Sequence, residues 1–146
     1  MDKINNNLKN VNINSNNTAG KVKSENEEML DFAVKMCSEK LLESSERRVP
    51  EYNKFAPHSI AFYIPGTSNI AEITVKQDEE NYKTQRRVLV GVHHKNSDVL
   101  ISNYLFKGTK KEVLEYIKTL SGERLNELTK VIKELSEESD KYHSSL

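Results

Sequence analysis

A chain of 146 residues with 36% apolar and 30% charged residues has material for one modest core under a heavily solvated surface, not for several domains. Its 22 Lys and Arg balance 22 Asp and Glu, which argues against a chain that works only by coating nucleic acid. A single cysteine, Cys37, excludes an internal disulfide, and the longest apolar stretches are strand-sized, far short of the ~20 residues of a membrane helix.

Residues 1–24 are dominated by asparagine, with Ile4, Leu8, Val11 and Ile13 isolated among polar neighbours. Such a segment gains too little by ordering to offset its backbone entropy, so it reads as a disordered Asn-rich tail. Its opening residues lack the apolar run of a Sec-type signal peptide, and a cytoplasmic protein is the expectation. The alternative use of residues 1–24 is an uncleaved signal for non-classical export, which would make the chain a secreted effector.

The remainder, residues 25–146, reads as a single domain. Ser24 with Glu27 three residues on has the capping-box pattern, and Glu25, Glu27 and Glu28 favour a helix start. Leu30, Val34, Cys37 and Leu41 then recur at helical spacing, and Arg47, Arg48 and Pro50 close the segment, so the pattern predicts a helix over 25–47. Cys37 lies on the apolar stripe and reads as a small buried hydrophobe rather than a nucleophile.

Four strands follow. Ile60–Ile64 is β-branched and aromatic, Pro65–Asn69 is a turn cluster, and Ile70–Val75 alternates with Ala71, Ile73 and Val75 on one face. The polar run 76–85 predicts an exposed loop. Arg86–His94 places Val88, Val90 and Val92 on one face, residues 95–98 form a turn, and Val99–Phe106 is the fourth strand. Short connections make an antiparallel meander the simplest topology.

Thr109-Lys110-Lys111-Glu112 is a second capping box, directly before Val113, Leu114, Ile117 and Leu120. Ser121-Gly122 interrupts the pattern, and a third helix runs from about Glu123 to about Tyr142 with a heptad-like seam of Leu125, Leu128, Ile132, Leu135, Ser139 and Tyr142. The assembled expectation is a two-layer α+β domain. Its four-stranded antiparallel meander is flanked by one N-terminal and two C-terminal helices, and one sheet face is left partly open.

Charge is segregated along this chain. Residues 81–111 hold seven Lys and Arg against one acid, Asp98, whereas 25–51 and 112–146 each hold eight acids against four and five bases respectively. The second hairpin is therefore basic and the helices acidic, with Tyr63, Tyr82, Tyr104 or Phe106 near the basic surface. Candidate binding residues are Arg86, Arg87, His94, Lys95, Lys107, Lys110 and Lys111.

No pattern points to catalysis, a metal or a cofactor. His93 and His94 are adjacent in a strand, so their side chains take opposite faces and cannot chelate one ion together; His58, His143 and Cys37 are remote in sequence, and no zinc spacing exists. Gly108-Thr109-Lys110-Lys111 precedes a helix but lacks the phosphate-loop pattern. Ser97, His94 and Asp98 crowd one turn, where triad geometry is not expected. The leading expectation is thus a non-enzymatic protein-binding or regulatory module that engages an acidic partner through the basic hairpin. The same face could serve nucleic acid, and the C-terminal seam offers a route to a homo-oligomer. A membrane partner is not expected.

Overall fold

The computed structural model describes residues 22–48 and 58–145. The expected Asn-rich tail lies, up to residue 21, outside the described residues, as does Pro50. The elements run α1 (Glu25–Arg48), β1 (His58–Tyr63), β2 (Asn69–Gln77), β3 (Arg86–His94), β4 (Ile101–Gly108), α2 (Lys110–Leu120) and α3 (Leu125–Ser144). The sheet order is β1-β2-β3-β4, every neighbouring pair antiparallel, which is the expected meander.

Both capping boxes form. At α1 the Ser24 N–H donates to Glu27 Oε1 at 2.9 Å and the Glu27 N–H donates to Ser24 Oγ at 3.2 Å. At α2 the reciprocal bonds of Thr109 and Glu112 measure 2.9 and 3.2 Å. Each box satisfies backbone donors that the first helical turn leaves without carbonyl partners. Between β1 and β2, Pro65-Gly66 makes the tight turn. Gly66 has φ +79°, and the Thr67 N–H donates to the Ile64 carbonyl at 3.1 Å. Proline before a positive-φ glycine is the chemistry of a type II turn.

The period-2 pattern decides which face is buried. Ala71, Ile73 and Val75 of β2 and Val88, Val90 and Val92 of β3 are fully buried, facing a helical layer that contributes Leu30, Val34, Leu41, Val113, Ile117, Leu120, Leu128, Ile132 and Leu135. Most of the α3 seam lies inside this core, with Leu128, Ile132 and Leu135 at 2% exposure or less, while Tyr142 at its C-terminal end stays exposed. Asn69, buried at the start of β2, ties the sheet to α3: its Nδ2 donates to Ser136 Oγ at 2.8 Å and Asp140 Oδ1 at 3.0 Å, and its Oδ1 accepts from Ser139 Oγ at 3.3 Å.

Most element ends differ from the sequence reading by one or two residues, and two of these differences bear on the open face. Strand β2 extends to Gln77, taking Lys76 out of the expected loop and into the sheet. Strand β4 begins at Ile101 rather than Val99, and a register shift against β3 falls between Val88 and Leu89. Val88 pairs with Phe106 and Leu89 with Tyr104, so Leu105 is the extra residue of a bulge. Leu105 and Phe106 consequently share the helical side: Leu105 lines one cavity with Tyr116, Leu120 and Leu128, and Phe106 stacks on Tyr116 with ring centroids 4.5 Å apart.

Candidate binding face

Among the described residues, no helix packs on the sheet's second face. Cross-strand pairing arranges it in rows: Lys76, Arg87 and Lys107; then Ser59, Thr74, Leu89 and Tyr104; then Ala61, Glu72, Gly91 and Ser102; then Tyr63, Ile70 and His93. Leu100, which precedes β4, folds over Gly91. A Cβ on that glycine would come within 2.7 Å of Leu100 Cδ1, so the missing side chain makes the seat for the leucine. Tyr63, Leu100 and Tyr104 are 66%, 46% and 50% exposed, and Ile70 and Leu89 lie half-buried between them. An apolar and aromatic surface thus abuts a row of three cations.

That row encloses one acid. Asp78, 4% exposed, sits just past the end of β2 and accepts backbone N–H groups from Asn81 at 2.9 Å and Glu80 at 3.2 Å. Arg87 Nε and Lys107 Nζ lie 3.5 and 3.6 Å from its other oxygen. Burial alone would raise this carboxyl, but the Asn81 N–H, the Lys107 charge, the Glu80 N–H and the Arg87 charge together bring it below its ordinary value. Arg87 and Lys107 therefore share one carboxylate, and with Lys76 beside them the row remains positive.

The seven sequence-derived candidates fall into three places. Arg87 and Lys107 lie on the open face, and Lys110 and Lys111 are exposed in the first turn of α2 at the same end of the sheet. His94 and Lys95 stand at the opposite end, about 23 Å away along β3 at the usual strand rise. His94 turns to the helical side, where its ring meets that of His143 at 4.6 Å, and its Nδ1 accepts the Asn96 N–H at 3.1 Å. Lys95 is exposed beside the β1–β2 turn, its N–H donating to the Ser68 carbonyl at 2.9 Å.

Arg86 belongs to neither group. It is 3% exposed, and its Nη1 donates to the carbonyls of Tyr82 and Gln85 at 3.2 and 3.1 Å, bracing the β2–β3 loop from within. Its parity was visible in the sequence, because residue 86 shares a face with Val88, Val90 and Val92. Among the tyrosines and Phe106 placed near the basic surface, Tyr63 and Tyr104 lie on the open face and Phe106 does not. Lys76, Ile70, Leu89 and Leu100 join the surface unannounced, Lys76 because polar composition concealed the last turns of pleat in β2.

Among the described residues no three His, Cys, Asp or Glu side chains converge as a metal site, and no helix is long and apolar enough to cross a membrane. Cys37 is buried, its Sγ donating weakly to the Ile60 carbonyl at 3.5 Å, and burial pushes the thiol up to about 12. No family model, curated protein or solved structure matches the chain, so the face is interpreted from its own residues.

Proposed function

We propose that the chain is a non-enzymatic binding module that takes an acidic, apolar-containing segment of another protein across the open face of its sheet. The observation that carries this reading is the adjacency of the Lys76, Arg87 and Lys107 row to the uncovered Leu89, Leu100 and Tyr104. Aromatic and aliphatic side chains supply burial at the centre of such a contact, and the cations supply orientation and rate of encounter. Glu72, in the middle of the face, disfavours a polyphosphate backbone laid along the same path.

Selection of random displayed peptides on the immobilised full chain tests the reading. The selected peptides are expected to combine Asp or Glu with aromatic or aliphatic residues, and to lose binding to an Arg87→Glu, Lys107→Glu double variant that still melts cooperatively. Peptides without acidic residues, or binding unchanged in that variant, would overturn it. A labelled single-stranded oligonucleotide at low salt provides the contrast: retention sensitive to salt and to the same variant would favour nucleic acid instead.

A further inference from the structure

Helix α1 is apolar on two sides. Leu30, Val34, Cys37 and Leu41 enter the core, yet Met29, Phe32 and Met36 stand on the outward side at 49%, 65% and 38% exposure. At about 100° per residue these three form one stripe along the helix, and Glu25 and Lys40 continue it beyond either end. Among the described residues neither Glu25 nor Lys40 has an ion-pair partner. The stripe faces away from the sheet, on the opposite side of the molecule from the open face.

The order acid, apolar triplet, base is self-complementary when reversed. We infer that α1 packs antiparallel against α1 of a second copy of this chain, forming a two-fold symmetric dimer. Centring the axis between Phe32 and Ala33 sets Met29 against Met36 of the second copy. The same register places each Phe32 ring over the small Ala33 side chain and each Glu25 beside a Lys40. A parallel pair would instead oppose Glu25 to Glu25 and Lys40 to Lys40, so charge selects the antiparallel arrangement. An isologous contact uses each residue twice, which lets a short stripe hold two molecules. The inference is independent of the binding role assigned to the sheet, and the dimer leaves both open faces uncovered.

Sedimentation velocity on the full chain over a rising concentration series tests it. A monomer–dimer equilibrium is expected, with Phe32→Glu weakening it about a hundredfold or more because the substitution enters the interface twice. Phe32 is outside the core, so this variant should still melt in one cooperative transition. Glu25→Lys and Lys40→Glu should each weaken the homodimer, and an equimolar mixture of the two should restore association, since each heterodimer contact then joins Lys to Glu. A wild-type chain that stays monomeric throughout overturns the inference and leaves the stripe to a different partner. A dimer indifferent to Phe32→Glu, or a mixture no tighter than its separate components, overturns it equally.

Discussion

Asp78 shows how one side chain both braces a turn and sets the charge of the open face. Its carboxylate holds the turn after β2 through the Glu80 and Asn81 N–H groups while it draws Arg87 and Lys107 into one row. Asp78→Ala removes the acceptor of two backbone donors and should cost about 1–3 kcal/mol in a denaturant titration. The same change leaves Arg87 and Lys107 uncompensated, so the selected acidic peptides should bind the variant more tightly at low salt. Cys37 makes the opposite case, a reactive residue type held inert. With the thiol pushed up to about 12 by burial, a thiol-specific reagent should label the folded chain slowly and the denatured chain at once. Rapid labelling under native conditions would contradict the packing of α1 on β1.

At the level of elements, the helices and the meander were legible because their signals are local. Capping boxes at Ser24 and Thr109, 3.6-residue stripes in α1, α2 and α3, and alternation in β2 and β3 all lie within a few residues of what they specify. Thr109→Ala should accordingly lower stability by about 1 kcal/mol through loss of the α2 cap, read as a shift in the thermal midpoint. What escaped the sequence depends on partners far along the chain. The late start of β4 reflects Leu100 seating on Gly91, and the Leu105 bulge reflects the demand of Tyr116 and Leu128 for two consecutive side chains on one face. Neither partner is near in sequence, and no alternation rule contains them. The open face was half legible for the same reason. Composition located the basic hairpin, whereas strand parity and register decided that Arg87 and Lys107 face out, that Arg86 faces in, and that His94 stands at the other end.

Among the described residues, the lowered Glu27 and Asp78 on the acid side and the raised Cys37, Tyr116 and Lys23 on the alkaline side set a pH window. Glu27 is lowered to about 2, first by its bond from the Ser24 N–H and then by Lys133, whose Nζ lies 3.0 Å away, and Asp78 is lowered as described. Both carboxyls bind protons more readily in the unfolded chain. Their contribution is complete above the ordinary carboxylate range and is lost as pH falls below about 4.5 toward 2. Lys23 is raised by its hydrogen bond and charge contact with Asp31, so its contribution is complete below 10.5 and is lost as pH rises through the higher folded value. The thermal midpoint should be flat near neutrality and fall on both sides, with Glu27→Gln shallowing the acid limb; an unchanged limb in that variant would refute the assignment. The contacts of α1 carry a further consequence, concerning synthesis. This helix ends at Arg48, yet it packs against α2, which begins at Lys110, and α3, which ends at Ser144. At ~5–20 residues per second the ribosome leaves it without those neighbours for on the order of 5–20 s. During that interval both its flanks, Leu30, Val34 and Leu41 on one side and Met29, Phe32 and Met36 on the other, present bare hydrocarbon to water. Newly made α1 is thus the segment of this chain on which a nascent-chain chaperone would first take hold.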